Sequence, residues 1–384
     1  MTEQNNKLTA IDMAKYFERL HLPILGVVEL TSHCNLNCSH CLRLSTRSTK
    51  RILSKDFVLD IVKQVFDTGC MFLTLTGGEP CSHPEFLEIY DEAYEIGVRM
   101  SLTSNGTLIS SRIARLLKDK PPISVNISLY GLNERSAERV TRNPDAFRLL
   151  EEGLIQLSKH SVPFRFLALV TADNAHPVHE YEAYAARWNA PIQFFTCISA
   201  GLGTNIAPLK HRLEPSEAAV YLLANAKKRI RTLAAIEASS IRQDISGQFN
   251  CGCGLATFFI DSDARLRPCQ LHDWDAPSLH DFTFKELWHS MLEELPRHLC
   301  ESKESIDAGM CPAFVRLQGA HFDSQYYQEY RKYSESEIKL DFDVSEPEEV
   351  AVQLMETQGI AVSDLYECMT SCGCRKVNDQ PYNL

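Results

Sequence analysis

Short apolar segments alternate with segments of helical periodicity over the first 200 residues of the chain. The first apolar segment, ILGVVEL, is rich in β-branched residues, and segments of the same kind begin at Met71, Val98, Ile123, Phe164 and Pro191. Between the first two, FVLDIVKQVF has apolar residues at three- and four-residue spacing, which predicts a helix that begins after Ser54 and closes at Gly69. Six strand–helix units in series predict a parallel sheet with helices on its outside.

The number of units sets the expected architecture. A complete eight-unit barrel takes about 250 residues, whereas these six units take about 175. We therefore predict an α/β fold with a partial (β/α)6 TIM-type barrel at residues 24–212, preceded by an N-terminal extension at residues 1–23. Active sites of such barrels lie at the carboxyl ends of the strands, so functional residues are expected in the loops that follow the strands.

The pattern changes after the sixth unit. Residues 214–236 predict one long helix, and FFIDSDARLRPCQ predicts a β-hairpin with an Asp-rich turn. FKELWHSMLEEL, further on, has the spacing of a short amphipathic helix. We expect a bridging helix and a Cys-rich domain at residues 213–335, and an acidic linker with a Cys-rich C-terminal segment at residues 336–384.

Charge and hydropathy exclude some classes of partner. The chain has 39 Lys and Arg against 50 Asp and Glu, a formal net charge of −11, whereas nonspecific nucleic-acid binding needs surplus positive charge. No apolar run is long enough to span a bilayer, and MTEQNNKLTA at the start lacks the basic-then-apolar order of a secretory signal. We therefore expect a cytoplasmic protein with no nucleic-acid or membrane partner.

Fourteen cysteines are distributed unevenly along the chain. Three of them, Cys34, Cys38 and Cys41, fall in HCNLNCSHC, in the loop after the first predicted strand. Three thiolates on one short loop can bind three irons of a [4Fe–4S] cluster and leave the fourth iron open to a substrate. The alternative is a zinc site that His33, His40 or a distant residue completes.

A second motif, TGGEP, follows the second predicted strand and contains Gly77, Gly78, Glu79 and Pro80. Two glycines at a strand end let a ligand approach the backbone closely. The CxxxCxxC loop followed by a GGEP turn resembles the signature of the radical S-adenosylmethionine (SAM) superfamily, and the resemblance covers roughly residues 24–200.

The resemblance implies a cofactor and a reaction. Cys34, Cys38 and Cys41 would bind a [4Fe–4S] cluster whose open iron chelates SAM, and the turn at residues 77–80 would meet the SAM amino group. The family chemistry is reductive cleavage of SAM to methionine and a 5′-deoxyadenosyl radical, which abstracts a hydrogen from the substrate. The protein positions and shields this chemistry.

The resemblance also implies contacts to the ribose or methionine part of SAM. Ser104, Asn105 and Ser128, at the ends of later strands, match positions that make such contacts. The same three residues could equally be ordinary hydrogen-bonding residues at strand ends. Tyr130 stands where many relatives have an acidic residue, which departs from the family pattern.

Cysteines in the second part of the chain resemble another element of this superfamily. The segment from Cys253 to Cys269 resembles the start of a SPASM or twitch domain, C-x(9–15)-G-x4-C, with Ala264 in the glycine position. Such domains carry auxiliary [4Fe–4S] clusters. The chain then departs from the SPASM pattern, because Ala308 stands where the CxxC that ends at Cys311 needs its first cysteine.

The resemblance implies one or two auxiliary [4Fe–4S] clusters. Their candidate ligands are Cys251, Cys253, Cys269, Cys311, Cys368, Cys372 and Cys374. For the last three of these, the alternative is a flexible thiol-bearing tail. The scattered cysteines Cys70, Cys81 and Cys197 are predicted to be packing residues.

Three functions remain open from the sequence. SPASM-type relatives mostly modify ribosomal peptides or proteins, so the first hypothesis is a peptide maturase that forms a crosslink or thioether, epimerises or oxidises a residue. Its partners would be a peptide or protein substrate, a separate leader-peptide recognition protein, and an electron donor such as flavodoxin or ferredoxin. The second is a radical SAM dehydrogenase, epimerase or cofactor-pathway enzyme for a small molecule, and the third a noncatalytic Fe–S or zinc scaffold. Candidate acids or bases are His83, Arg142, Asp173 and His176, and nothing ranks them.

Overall fold

The computed structural model describes residues 22–43, 51–203, 205–229, 253–272 and 275–298. The strands of the described ranges are β1 (Leu25–Glu29), β2 (Phe72–Thr76), β3 (Arg99–Ser104), β4 (Ser124–Leu129), β5 (Arg165–Leu169), β6 (Ile192–Phe195), β7 (Thr257–Ile260) and β8 (Leu266–Arg267). The helices are α1 (Lys55–Asp67), α2 (Phe86–Ile96), α3 (Ser111–Asp119), α4 (Glu134–Thr141), α5 (Ala146–Lys159), α6 (Val178–Arg187), α7 (Pro215–Arg229) and α8 (Phe284–His298).

Strands β1 to β6 are parallel and lie side by side in chain order, within a sheet of order β6-β5-β4-β3-β2-β1-β7-β8. Parallel neighbours need a crossover connection, and helices α1 to α6 lie in these crossovers. Val28 of β1 is in register with Leu75, Leu75 with Leu102, and Leu102 with Val125. These four side chains are at most 1% exposed and form a continuous apolar row. The predicted partial (β/α)6 barrel is therefore confirmed.

Helix α1 shows how the periodic pattern becomes packing. Val58, Ile61, Val62 and Val65, spaced at three and four residues, form its buried stripe. Beyond the helix, Gly69 adopts a left-handed backbone with φ of 99°, which ends the helix as the sequence predicts.

The predicted hairpin is present and is joined to the barrel. Strands β7 and β8 are antiparallel, with Ile260 opposite Leu266. Strand β7 also pairs in parallel with β1, Val28 opposite Ile260, so the hairpin extends the barrel sheet beyond its first strand. The sequence pattern does not predict this pairing. The proposed domain boundary at residues 212–213 stays a prediction, since residues 230–252 lie outside the described ranges.

The inner face of the barrel carries hydrogen-bonded polar side chains. Thr103, Asn126 and Arg165 are in register on three adjacent strands. The Asn126 amide donates to Thr103 Oγ1 at 3.2 Å, and Arg165 Nε donates to Asn126 Oδ1 at 2.5 Å. Because successive side chains of a strand point to opposite faces, the apolar Val125 and Ile127 face the helices. The barrel interior therefore offers polar groups below the carboxyl ends of the strands.

The prediction that the scattered cysteines are packing residues is confirmed for Cys70 and wrong for Cys197. Cys70 is 1% exposed, and burial raises the pKa of its thiol to about 12. Cys197 is exposed, so the packing prediction is wrong there. Phe194 and Ile198 are buried, whereas Phe195 is 40% exposed, and alternation places Cys197 on the same side as Phe195.

No helix in the described ranges is both long enough and apolar enough to cross a membrane.

Candidate functional site

A cavity of about 200 Å³ lies at the carboxyl ends of strands β1 to β4. The residues that the resemblance selects in the barrel all line it except Pro80, namely Cys34, Cys38, Cys41, Gly77, Gly78, Glu79, Ser104, Asn105 and Ser128. They come from segments far apart in the sequence. The parallel sheet brings them together because it aligns the carboxyl ends of its strands at one edge.

The three cysteines of the loop after β1, here called the Cys loop, converge on one side of this cavity. Cys38 is 4% exposed and forms a small buried cluster with Leu36 and Ala146, against which Cys34, Cys41 and Tyr130 pack. Burial is the main cause that raises the pKa of the Tyr130 hydroxyl well above its usual range, and the three neighbouring thiols contribute. In the described part of the chain, no three His, Cys, Asp or Glu side chains converge closely enough to hold a single metal ion. In a cube, by contrast, each thiolate binds a different iron.

The Cys loop is held by the end of helix α4. The backbone N–H of Asn37 donates to Thr141 O at 3.0 Å, and that of Ser39 donates to Val140 O at 2.8 Å. Buried backbone groups without a hydrogen-bond partner are costly. These two bonds therefore provide partners for the N–H groups of the loop and fix its conformation. The cysteines are thus presented by a loop of defined conformation.

The TGGEP turn lies directly against the segment that leads into Cys34. The N–H of Gly78 donates to Thr31 O at 2.7 Å, and the N–H of Glu79 donates to His33 O at 2.8 Å. A Cβ atom on Gly78 would lie 2.3 Å from His33 O. Glycine at this position therefore permits close approach of two backbone segments of the protein, in addition to the approach of a ligand that the sequence predicts.

Glu79 is fully buried and joins the turn to the end of β3. Its carboxylate accepts hydrogen bonds from the Ser104 hydroxyl at 2.8 Å, the Asn105 N–H at 2.7 Å and the Cys81 N–H at 3.0 Å. Burial raises the pKa of Glu79, and these donors oppose the shift. The Ser104 hydroxyl thus makes a hydrogen bond within the protein, as expected of an ordinary residue at a strand end. Its contact to SAM stays a prediction.

Two residues on the cavity wall are not predicted by the sequence patterns. Glu29, 4% exposed, forms an ion pair with Arg43, and both line the cavity. The N–H of Ser262 in the hairpin turn donates to Glu29 Oε2 at 3.3 Å. Burial raises the pKa of Glu29 to about 7, against the opposing charge of Arg43. An acidic residue near the end of an otherwise apolar strand segment, ILGVVEL, is the signal that could have identified it.

Two of the predicted auxiliary ligands flank the hairpin, one before its first strand and one after its second. Cys253 forms a bridge with Thr257 at the start of β7, and Cys269 follows β8. Because β7 and β8 are antiparallel, both cysteines lie toward the open end of the hairpin. Gln270, next to Cys269, lines the cavity. The other candidate ligands, Cys251, Cys311, Cys368, Cys372 and Cys374, lie outside the described ranges.

The turn of the hairpin explains the glycine of the SPASM and twitch pattern. Ala264 has φ of 59°, a left-handed backbone that glycine adopts at lower cost. Its N–H donates to Asp261 O at 2.9 Å and its carbonyl accepts from Leu279 at 2.8 Å. Alanine therefore adopts here the backbone conformation that favours glycine.

None of the four unranked acid or base candidates lines this cavity. Both ring nitrogens of His83 have backbone partners, at 2.7 Å from Leu53 O and 3.1 Å from the N–H of Glu85. His211 Nδ1 lies 2.5 Å from Asp173 Oδ2, and His176 Nδ1 lies 3.2 Å from Glu180 Oε2. Arg142 ends α4 in a left-handed conformation.

Comparison with known proteins identifies a matching family model and several similar proteins. Residues 28–183 match the model of the radical SAM superfamily. The chain is 27% identical over 328 residues to mycofactocin maturase MftC of Mycolicibacterium smegmatis, covering 82% of each protein. It is 26% identical over 339 residues to an AdoMet-dependent heme synthase of Methanosarcina barkeri, covering 80% of this chain and 97% of that protein.

A solved structure shows the same fold. The structure of anSMEcpe with bound AdoMet and Cp18Cys peptide has a TM-score of 0.60 and 20% identity, and the match covers 82% of this chain and 98% of that one. The segment matched by the family model runs from β1 to α6 and contains both the Cys loop and the TGGEP turn. Residues 28–183 of this chain therefore form a radical SAM domain, the domain of a superfamily whose members use SAM and a [4Fe–4S] cluster.

Proposed function

We propose that this radical SAM enzyme modifies a ribosomally made peptide or protein, by a crosslink, a thioether, an epimerisation or an oxidation. When bound, the cluster and SAM supply a 5′-deoxyadenosyl radical that takes a hydrogen atom from the substrate. The observation that carries the proposal is the convergence of Cys34, Cys38 and Cys41 on a cavity at the carboxyl ends of the strands.

The chain's own residues have distinct tasks in this proposal. Cys34, Cys38 and Cys41 would hold three irons, since soft thiolate ligands suit an Fe–S cluster. The turn at residues 77–80 would receive the SAM amino group. Its backbone carbonyls are the expected acceptors, because the Glu79 carboxylate already accepts three hydrogen bonds within the protein.

The remaining proposed SAM contacts are at the ends of β3 and β4. Ser104, Asn105 and Ser128 all line the same cavity as the cysteines, which supports a ligand-facing position. Tyr130 borders this wall and the thiols, so it would exclude water from the cluster side of the cavity.

At least one auxiliary [4Fe–4S] cluster forms part of the proposal. Cys253 and Cys269 approach the open end of the hairpin from both strands, which supports them as two ligands of one cluster. Further ligands would come from the cysteines outside the described ranges, Cys251, Cys311, Cys368, Cys372 and Cys374. Eight cysteines in the second part of the chain are enough for two clusters with four thiolates each.

The peptide substrate rests on the similar proteins. A mycofactocin maturase and a structure with a bound Cp18Cys peptide are among them. A separate leader-peptide recognition protein and an electron donor such as flavodoxin or ferredoxin complete the proposed partners. We place the enzyme in the cytoplasm, where thiols are kept reduced. The similarity to a heme synthase favours a second candidate, a cofactor-pathway enzyme with a small-molecule substrate.

Iron and acid-labile sulfide per chain after anaerobic reconstitution test the proposal. On cubane stoichiometry, the wild type should hold about 12 irons if there are two auxiliary clusters, and the Cys34/Cys38/Cys41→Ala variant about 8. A fall from about 8 to about 4 would mean one auxiliary cluster and would give small-molecule substrates equal standing. Cys70→Ala, at a buried thiol away from the cavity, is the control and should leave the iron content unchanged.

SAM cleavage is the second measurement. With a reductant and without oxygen, the wild type should form methionine and 5′-deoxyadenosine, and the triple variant should form neither. Iron content that does not fall in the triple variant, or reduced wild type that leaves SAM intact, would contradict the proposed chemistry.

A further inference from the structure

Three side chains behind the Cys loop form a closed ring of hydrogen bonds. Asn35 Nδ2 donates to Thr107 Oγ1 at 2.7 Å, the Thr107 hydroxyl donates to Asn105 Oδ1 at 2.6 Å, and Asn105 Nδ2 donates to Asn35 Oδ1 at 2.9 Å. Asn105 and Thr107 are 6% and 8% exposed. Each member thus donates to the next in one direction, and the ring joins the Cys loop to the end of β3.

The ring fixes which way the Asn105 amide points. The backbone N–H of Thr107, which can only donate, also bonds to Asn105 Oδ1 at 2.9 Å. The oxygen must therefore face Thr107, and the NH₂ group must face the Cys loop. The main chain of Asn105 is held as well, since its N–H donates to Glu79 Oε2 at 2.7 Å.

One hydrogen of this NH₂ group remains directed toward a cysteine. An amide NH₂ has two hydrogens, and Asn35 Oδ1 accepts one of them. Asn105 Nδ2 lies 3.8 Å from Cys34 Sγ, within hydrogen-bond distance of a sulfur acceptor. The N–H of Leu36 lies 3.4 Å from the same sulfur and provides a backbone donor that no side-chain substitution removes.

We propose that Asn105 is a positioning residue for the cluster, donating a hydrogen bond to the Cys34 thiolate that raises the cluster's reduction potential. This inference rests on the proposed function in that Cys34 must be a cluster ligand. Reduction adds one electron and no bond is broken, so the reduced cluster carries more negative charge on its sulfurs. A donor on a ligand sulfur stabilises that charge more in the reduced than in the oxidised state.

The inference gives the ring a function that a purely structural ring would lack. Asn35 and Thr107 hold the donor in place, and residues that orient groups around a metal ligand tune the metal. It also assigns the Asn105 side chain primarily to the cysteine, whereas the family resemblance assigns the residue to SAM.

An EPR-monitored reductive titration of the full-length reconstituted protein tests this inference. Wild type, Asn105→Ala and Thr107→Val are compared, with the spectrum of the Cys34/Cys38/Cys41→Ala variant subtracted to remove auxiliary clusters. The potential of the Cys-loop cluster should move to more negative values in Asn105→Ala. It should move in the same direction, but less, in Thr107→Val, which keeps the amide and loses one of its anchors.

Asn126→Ala is the matched control. Asn126 is a buried asparagine of the same barrel, 6% exposed like Asn105, and its amide bonds to Thr103 and Arg165 instead of the Cys loop. The reduction potential of the Cys-loop cluster in Asn126→Ala should equal that of the wild type. An exchangeable-proton coupling, detected by ENDOR in H₂O and lost in D₂O, should be weaker in Asn105→Ala than in this control.

An unchanged potential and an unchanged proton coupling in Asn105→Ala would overturn the inference and leave the proposed function intact. If Asn105→Ala assembles no cluster, Thr107→Val decides, and an unshifted potential there overturns the inference. A wild type that binds no iron in the Cys loop would refute the proposed function itself, and the inference with it.

Discussion

Glu29, the last residue of β1, forms a buried ion pair with Arg43, which follows the third cysteine of the Cys loop. The same carboxylate accepts the N–H of Ser262 from the hairpin turn. One side chain therefore links the first barrel strand, the Cys loop and the hairpin. An ion pair in this position is costly to desolvate, so it is expected to contribute to the arrangement of these segments more than to stability.

The pH dependence of stability should reveal Glu29. Burial raises its pKa from 4.5 to about 7, Arg43 opposes the shift and Asp261 adds to it. Between these two pH values, the folded protein binds more protons than the unfolded chain. The contribution of Glu29 to the free energy of unfolding is therefore fully present below about pH 4.5 and is lost as the pH rises to about 7. The shift corresponds to about 3 kcal/mol, and Glu29→Gln should remove this slope.

Urea unfolding at a series of pH values measures the effect. Glu286→Gln is the control, because hydrogen bonds from Thr283 lower the pKa of that carboxylate and place its titration below this window. The control should follow the wild-type slope between about pH 4.5 and 7. A free-energy difference between wild type and Glu29→Gln that stays constant across this range would contradict the prediction.

Gly78→Ala should separate the TGGEP turn from the Cys loop. The added Cβ would lie 2.3 Å from His33 O and 2.6 Å from Ser32 O, and backbone atoms cannot rotate away as a side chain can. Overpacking of this kind costs about 1–3 kcal/mol. We expect a lower free energy of unfolding and, because His33 precedes Cys34, less iron per chain after reconstitution.

Gly203→Ala separates the steric effect from a general effect of losing a glycine. Gly203 has φ of 69°, and a Cβ there would meet nothing within 4 Å. This variant should lose about 1 kcal/mol to its left-handed backbone and keep the wild-type iron content. Equal iron contents in the Gly78 and Gly203 variants would show that the contact at His33 does not govern the Cys loop.

The barrel and most of its cavity could be predicted because their signals are local. Each strand is one continuous apolar segment, and the rule that parallel strands end at one edge is enough to bring Cys34, Gly78 and Ser128 together. The Glu29–Arg43 pair and the Asn105 ring depend on the directions of side chains at a strand end and in loops, which periodicity does not contain. Cys197 lies two residues beyond the end of β6, and its exposure depends on the path of the chain after that strand.

The pairing of β1 with β7 also escapes sequence reasoning, since no local pattern selects a partner more than 200 residues away. The pairing leaves no room for a side chain at position 26, where the sequence has glycine. A Cβ on Gly26 would lie 2.2 Å from the Phe258 ring and 2.8 Å from Leu73. Phe258 cannot move aside freely, because Phe284 and Trp288 of α8 pack against it with ring centroids 4.8 and 6.0 Å away.

Gly26→Ala should therefore loosen the hairpin and α8 from the barrel. We expect the free energy of unfolding to fall by about 1–3 kcal/mol, the usual cost of overpacking. Amide hydrogen exchange should lose more protection in β7 than in β3 and β4, because the shortest clashes are with Phe258 of β7 and neither β3 nor β4 pairs with β1. Gly69→Ala, where a Cβ would meet nothing within 4 Å, is the control and should leave β7 protected. A uniform loss of protection across all strands of Gly26→Ala would mean that the hairpin and the barrel unfold as one unit.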